Sequence, residues 1–116
     1  MTIASRWDVY IADLEPVLGS EQGGKRPVLV ISNDDFNEVM PVLTVIPITS
    51  LKIGRQIYPT EILLVKGIAN LELDSLILPH QIRTISRKRI GKLIGSLRQR
   101  EKQSEIIEAI KLHLGI

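Results

Sequence analysis

The sequence predicts an α+β domain built on a small, strongly bent antiparallel sheet or barrel, with short helices and a C-terminal helix. Five short runs rich in β-branched residues are separated by turn residues, which is typical of short strands. The last segment instead carries apolar residues at helical spacing. Strands followed by helices indicate the α+β class. No internal repeat or linker tract is visible, so residues 1–116 are predicted to form a single domain.

The first two predicted strands flank a glycine-rich loop. Residues 8–14 alternate apolar and polar side chains, which predicts a half-buried strand. Residues 28–31 are too few and too β-branched for a helix, so they predict a strand covered on both faces. Pro27 suits the first position of that strand, because its missing N–H costs little there.

The middle of the chain predicts a helical turn and three further strands. Asn33 is a suitable cap for one helical turn. Residues 42–48 predict the third strand, in which Pro47 should mark an edge or a bulge. A polar connection over residues 50–58 leads to the remaining strands. These are a fourth strand at 60–65 and a fifth at 75–78, interrupted at Pro79 and continued at 81–85.

Two helices are predicted after the strands. Ser86 is a suitable N-cap for a short basic helix, which Gly91 and Gly95 would weaken. The inward side of that helix is predicted to carry Ile90, Leu93, Ile94 and Leu97. The final helix is predicted at residues 100–114. Its inward positions are Ile106, Ile107, Ile110 and Leu114.

Composition and charge exclude several classes of protein. Cysteine is absent, which excludes disulfide and thiolate chemistry. No apolar run approaches the roughly 18 residues of a membrane span, and the N-terminus does not resemble a signal peptide, so we expect a cytoplasmic protein without membrane association. Only four aromatic residues are present, which argues against binding nucleic acid by stacking on several rings. Residues 83–102 carry eight Lys or Arg against one Glu, which indicates either phosphate binding or a solvated helix face.

The most informative stretch is GSEQGGKRPVLVISND, residues 19–34, where charged residues of a glycine-rich loop lead directly into an apolar strand. It lies within the run WDVYIADLEPVLGSEQGGKRPVLVISND, which is followed by VIPITS at residues 45–50 and LPHQIRTI at residues 78–85. This ordered set closely resembles the MazF/PemK family of toxin endoribonucleases, over nearly the whole chain.

The resemblance implies a fold, an activity and partners. Family members have an SH3-like barrel, act as homodimers, and are inhibited by a cognate antitoxin, here expected to be MazE-like. They cleave single-stranded RNA without a metal or other cofactor. The ribose 2′-hydroxyl attacks the phosphate, which leaves a 2′,3′-cyclic phosphate and a 5′-hydroxyl. Inhibition of translation and growth is the biological outcome that the resemblance implies.

The family's functional residues fall on Arg26, Thr49 and Glu21. A guanidinium can hold two phosphoryl oxygens in its planar fork, and a hydroxyl can donate to the same developing charge. Glu21 is the best carboxylate for the general base. Each of these residues could instead have a purely structural role. Arg26 could form a salt bridge, Thr49 could be a turn residue at a strand end, and Glu21 could form a loop ion pair with Lys25 or Arg26.

Contacts to RNA are expected to be distributed over further residues. Lys52 and Arg55 follow Thr49 in a polar loop and suit phosphate contacts, which position a strand without reading its sequence. The other predicted RNA contacts are Ser20, Lys25, Gln81 and Arg83. The alternative for each predicted RNA contact is an exposed polar residue that does not bind RNA. Trp7 departs from the family, where many relatives carry Gly before Asp-Val, and this puts local packing or groove shape in question.

The sequence also bears on metal binding and on two other functions. His80 and His113 are left out of the predicted catalytic set, and the two lack the spacing of metal ligands, so no metal site is predicted. Two alternatives to the nuclease remain open. One is a CcdB-like toxin that binds DNA gyrase without enzymatic activity, and the other is an inactive RNA-binding relative. The pairing of Arg26 with Thr49 favours the nuclease.

Overall fold

The computed structural model describes residues 4–116, which fold into seven antiparallel strands, two α-helices and three short 3₁₀ turns. The strands are β1 (Asp8–Asp13), β2 (Lys25–Val30), β3 (Val42–Ser50), β4 (Ile62–Leu64), β5 (Ser75–Ile77), β6 (Arg83–Ser86) and β7 (Ile90–Ser96). The α-helices are α1 (Asp34–Val39) and α2 (Arg100–Leu114). The 3₁₀ turns are Ile68–Asn70, Pro79–Gln81 and Arg87–Arg89.

The strands form one antiparallel sheet in the order β4-β5-β3-β2-β1-β7, and β6 also pairs with β3. The predicted α+β class, with short helices and a C-terminal helix, is confirmed. Across residues 4–116, no pairing joins the edge strands β4 and β7, so the sheet does not close into a complete barrel.

Strand β3 is the longest strand because it pairs with two different strands along one side. Its first part, Val42–Val45, pairs with β6, and its last part, Ile48–Ser50, pairs with β5. Pro47 lies at this change of partner and opposite Val28 of β2. The prediction that Pro47 marks an edge or a bulge is therefore wrong. A strand residue's N–H and C=O point to the same side, and the Pro47 carbonyl accepts from Leu78 N at 3.1 Å. The N–H that Pro47 lacks would therefore lie on the side where β3 changes from pairing with β6 to pairing with β5.

The hydrophobic core covers both faces of the central strands. One cluster, which includes Val9, Leu29 and Ile46, packs beneath α2 through Ile106. A second cluster on the other face includes Tyr10, Leu14, Val28, Val45 and Ile85. The prediction that β1 is half buried is wrong, because Val9 and Tyr10 point to opposite faces and both are buried.

The segment predicted as a basic helix is instead a 3₁₀ turn followed by β7. Ser86 does cap the turn, since its Oγ accepts from Lys88 N at 3.2 Å. Pairing with β1 provides hydrogen bonds to a segment that Gly91 and Gly95 make a poor helix. The prediction that residues 81–85 continue the fifth strand is also wrong, because the turn Pro79–Gln81 separates β5 from β6.

Both α-helices lie close to their predicted positions. Asn33 caps α1 as predicted, accepting from Asp35 N at 2.8 Å. Helix α2 has the predicted bounds and ends at Gly115, whose φ of 73° suits a left-handed C-terminal glycine. Leu114 is exposed at 55%, so its predicted place in the core is wrong. No helix within residues 4–116 has the length and apolar character needed to cross a membrane.

Candidate functional site

Arg26 occupies the start of β2, where the glycine-rich loop enters the sheet. Its Nε donates to the Gly23 carbonyl at 2.6 Å, which ties the half-buried side chain back to the loop. In the described part of the chain its guanidinium takes part in no ion pair, and its two terminal nitrogens have no hydrogen-bond partner. The salt-bridge alternative is thus not what the structure shows, and the terminal N–H groups remain available to a ligand.

Thr49 is the penultimate residue of β3 and lies opposite Leu76 of β5. The neighbouring Ile48 is 1% exposed, so the backbone beside Thr49 is anchored in the core. The Thr49 side chain alternates to the opposite face of the strand and is partly accessible. A hydroxyl on such a strand end is held in place by the sheet rather than by a loop.

A cleft of about 690 Å³ brings these two residues together. Of the residues predicted from the sequence, Arg26, Thr49 and Lys52 line it. Its other polar lining residues are Ser50, Asn70, Glu72, Ser75 and Lys92. Its apolar walls are Ile11, Pro27, Ile48, Leu71, Leu73, Leu93 and Ile94. The cleft therefore combines three cations with hydroxyl, amide and apolar surfaces, and contains one carboxylate.

Glu21, Ser20 and Lys25 do not line this cleft. A Glu21 carboxylate oxygen accepts from Leu18 N, so the side chain folds back on its own loop. Glu15 fastens the other end of the loop in the same way, since its carboxylate accepts from Gly24 N. The loop ion pair between Glu21 and Lys25 or Arg26 does not occur among the described residues.

Gln81 and Arg83 contact the loop rather than the cleft. The Gln81 Nε2 atom donates to the Ser20 carbonyl at 3.3 Å, and an Arg83 terminal nitrogen donates to the Leu14 carbonyl at 3.4 Å. Arg89 adds a bond to the Asp13 carbonyl at 3.1 Å. The region following β5 thus supports the loop that leads into Arg26, and a role of Gln81 or Arg83 in binding RNA stays a prediction.

Arg55 forms a two-pronged ion pair with Glu61. Its terminal nitrogens lie 2.7 Å and 2.8 Å from the two carboxylate oxygens, and Tyr58 N donates to the same carboxylate at 2.9 Å. The hydrogen bonds from Arg55, together with the one from Tyr58 N, lower the pKa of Glu61, which is 7% exposed. The bonds to Glu61 raise the pKa of Arg55. In this structure the Arg55 guanidinium orders the connection between β3 and β4 instead of facing the cleft.

The sequence prediction missed Asn70, Glu72, Ser75 and Lys92. The sequence predicts that Lys92 lies in the basic helix, whereas in the structure it belongs to β7 and lines the cleft. Asn70 is the last residue of the 3₁₀ turn Ile68–Asn70, Glu72 lies between that turn and β5, and neither residue belongs to a recognised motif. Their position depends on left-handed backbone at Ala69 and Asn70. Asparagine adopts this conformation more often than most residues, but alanine does not, so the sequence does not indicate the turn as glycine would.

The histidines lie away from the cleft. The Nδ1 atom of His80 is buried, and the described residues offer it no hydrogen-bond partner. Its proximity to Glu61 contributes to the lowered pKa of that carboxyl group. His113 is exposed in the last turn of α2. Residues 4–116 contain no group of three His, Cys, Asp or Glu side chains arranged to hold a metal ion.

Comparison with known families identifies the class of protein that this fold and cleft define. The family described as PemK-like, MazF-like toxin of type II toxin–antitoxin systems matches residues 5–114. The chain therefore belongs to the PemK/MazF family of toxins.

Solved structures agree on the fold. MazF from Deinococcus radiodurans is 24% identical, with a TM-score of 0.85 and complete coverage of both chains. The toxin MazF-mt6 from Mycobacterium tuberculosis is 24% identical, with a TM-score of 0.76 and coverage of 94% of this chain and 97% of that chain. An endoribonuclease from a mycobacterial species, solved in complex with its cognate antitoxin, is 22% identical with a TM-score of 0.76 and covers 97% of this chain and 96% of that chain.

Proposed function

We propose that this toxin is a metal-independent endoribonuclease that cleaves single-stranded messenger RNA by attack of the ribose 2′-hydroxyl. The observation that carries the proposal is the convergence of Arg26, Thr49 and Lys52 on one cleft. A type II toxin fold and neighbours named as endoribonucleases support the same activity.

Arg26 and Thr49 supply the stabilisation that the reaction needs. Attack on phosphorus places additional negative charge on the non-bridging oxygens, and donors fixed before the reaction stabilise that charge without reorganising. The terminal N–H groups of Arg26 and the hydroxyl of Thr49 are such donors, and both residues are anchored in the sheet. Removal of one well-aimed donor typically lowers the rate about 100- to 1000-fold.

Two lysines extend the site along the RNA backbone. Lys52 and Lys92 line the cleft, and neither forms an ion pair in the part of the chain that the structure describes. Lysine ammonium groups suit phosphate contacts, which fix the register of a strand. The apolar walls at Leu73 and Leu93 can receive base faces, since no aromatic ring is among the described residues that line the cleft.

Glu21 is the carboxylate that the family resemblance offers as general base. In this structure it lies on the loop, outside the cleft lining, and accepts from Leu18 N. For Glu21 to reach the 2′-hydroxyl, the loop would have to release this bond when RNA binds.

The partners proposed for this chain are a second copy of itself and a cognate MazE-like antitoxin. A relative crystallised with its cognate antitoxin, and MazE–MazF complexes from Deinococcus radiodurans, support the second partner. We place this activity in the cytoplasm, where messenger RNA is translated. Sedimentation equilibrium of the purified toxin tests the homodimer directly: a mass of twice 13.0 kDa supports it, and 13.0 kDa contradicts it.

The nuclease is tested with a long, weakly structured RNA in the presence of EDTA, followed by analysis of the product ends. The proposal predicts sequence-restricted cuts that leave 2′,3′-cyclic phosphate and 5′-hydroxyl ends. A single 2′-deoxynucleotide at a mapped cut should abolish cleavage there. Intact RNA with folded protein would overturn the nuclease, and a gyrase supercoiling assay would then test the CcdB-like alternative.

A further inference from the structure

Glu72 is the one carboxylate among the described residues that line the cleft. The acidic side chains at the end of β1 and in the glycine-rich loop lie outside that lining and accept backbone N–H groups: Asp13 from Glu15, Glu15 from Gly24, and Glu21 from Leu18. Asp74 is similarly occupied, since it accepts from Lys66 N at 2.7 Å. Glu72 instead has neither an ion pair nor a hydrogen bond within residues 4–116.

The backbone on both sides of Glu72 is fixed. Before it, the left-handed turn at Ala69 and Asn70 is held by the Asn70 side chain, which donates to the Ile94 carbonyl of β7 at 3.0 Å. After it, the Asp74 carbonyl accepts from Leu51 N at 2.9 Å, just beyond the end of β3. Glu72 is thus carried on a short segment tied to β7 and to the end of the strand that bears Thr49.

The chemistry of the lining leaves Glu72 as the group able to take a proton. The cations Arg26, Lys52 and Lys92 are donors without an accepting lone pair when charged. Hydroxyl and amide side chains are too weakly basic to hold a proton near neutral pH. An ionised carboxylate accepts protons readily and is a common general base in enzymes.

We propose that Glu72 is the general base of the cleavage reaction, an inference that rests on the proposed nuclease function. Glu72 takes the proton of the 2′-hydroxyl while the 2′-oxygen forms its bond to phosphorus. The bond from phosphorus to the 5′-oxygen breaks, and that oxygen takes a proton from water. The resulting hydroxide is neutralised by the proton on Glu72, which restores the carboxylate.

The test measures kcat/KM against pH, in EDTA, for wild type, Glu72→Gln, Glu72→Ala, Glu21→Gln and the control Glu38→Gln. Glu38 is an exposed residue of α1 that does not line the cleft. Circular dichroism at each pH confirms that the variants are folded. Because a general base typically contributes about 100-fold or more, Glu72→Gln should lower kcat/KM by at least about 100-fold. We expect wild type to lose activity on acidification, and this loss should disappear in Glu72→Gln.

Chemical rescue separates proton transfer from structure. Added formate should restore part of the activity of Glu72→Ala in proportion to its concentration, since a small carboxylate can enter the vacated space, and it should not affect Glu38→Gln. Glu72 is overturned as the base if Glu72→Gln keeps the wild-type rate, if it is slow but keeps the wild-type acid profile, or if Glu21→Gln alone removes the acid dependence. Wild type that does not cleave RNA would overturn the nuclease itself and this inference with it.

Discussion

The cations of this toxin differ in what their side chains touch. Arg55 forms an ion pair with Glu61. Arg83 donates to the Leu14 carbonyl and Arg89 to the Asp13 carbonyl, so these three guanidiniums stabilise the fold around the cleft. Arg26 donates only its Nε–H, to the Gly23 carbonyl, and its two terminal nitrogens have no partner among the described residues. This difference in contacts, rather than the number of positive charges, is why we propose that Arg26 contacts a phosphate.

Lys52→Ala is expected to lower the affinity for RNA and to make that affinity less dependent on salt concentration. Each phosphate contact to a single strand contributes about 0.7 to the slope of log K against log salt, so the slope should become shallower by about that amount. Binding of an uncleavable, 2′-deoxy-substituted oligonucleotide at several salt concentrations measures this slope.

Arg98→Ala is the matched control for Lys52→Ala, because Arg98 is exposed and does not line the cleft. It should leave the slope close to that of wild type. Equal slopes for wild type and Lys52→Ala would remove Lys52 from the phosphate contacts.

Glu61→Gln is expected to destabilise the protein at neutral pH and to change its response to acid. The hydrogen bonds from Arg55 lower the pKa of Glu61 below its ordinary value of 4.5. The stability that this carboxylate contributes is therefore complete at neutral pH and is lost as the pH falls below about 4.5 and through the lowered pKa. Loss of charge-assisted hydrogen bonds should cost about 1.5–3 kcal/mol at pH 7.

Urea unfolding at pH 7 and at pH 3.5 measures both effects. The gap in unfolding free energy between wild type and Glu61→Gln should narrow at the lower pH. Glu105→Gln, which breaks the exposed pair between Lys102 and Glu105, should change stability by less than about 1 kcal/mol. A gap that stays constant with pH would show that the Glu61 carboxylate does not titrate as its contacts indicate.

Trp7 shows why relatives can carry glycine at this position. Its φ of 73° lies in the left-handed region, which favours glycine. The Trp7 ring packs against the core beneath α2 and lies under the Arg6 guanidinium, whose carbon is 4.9 Å from the ring centroid. Tryptophan in place of glycine therefore affects packing at the start of β1, and Trp7 does not line the cleft.

At the scale of elements, β7 is the strand on which the cleft depends and which sequence reasoning missed. The apolar side chains of residues 90–96 have spacings compatible with a helix. The segment is a strand because it pairs with β1. Gly95 lets β7 lie directly against the backbone of Ala69, in the 3₁₀ turn Ile68–Asn70, because it has no Cβ. A single sequence does not reveal such a close approach between segments 26 residues apart.

Gly95→Ala is expected to destabilise the protein by about 1–3 kcal/mol, the usual cost of overpacking. A Cβ at this position would lie 2.5 Å from the Ala69 carbonyl oxygen and 2.7 Å from its carbon, and backbone cannot move aside cheaply. The shift should also displace the segment that carries Glu72 and reduce cleavage. Denaturant unfolding and the RNA assay measure the two effects.

Gly91→Ala is the matched control on the same strand, since its added Cβ would meet only the Ile11 carbonyl oxygen at 3.1 Å. Its effect on stability should be smaller. The assigned packing of β7 on the turn would be contradicted if Gly95→Ala were as stable as wild type.

At the scale of the whole molecule, the sequence predicted the features that depend on interactions between residues close together in the chain. The strands around the glycine-rich loop, the Asn33 cap and the bounds of α2 follow from turn chemistry, β-branching and helical spacing within a few residues. The placement of Glu72, Lys92 and Arg55 follows from contacts between distant segments: the left-handed turn at Ala69, the pairing of β7 with β1, and the buried carboxylate of Glu61. No local pattern encodes those contacts.

The cleft gathers Arg26 and Thr49 from two strands, Lys92 from a third and Lys52 from a loop, so the proposed activity belongs to the folded chain as a whole. The most direct test compares wild type with Arg26→Ala on one long RNA in EDTA, after circular dichroism has shown that both are folded. We predict cuts with 2′,3′-cyclic phosphate ends by the wild type and a rate about 100- to 1000-fold lower for Arg26→Ala. Equal cleavage by the two proteins, or intact RNA with both, would contradict the account.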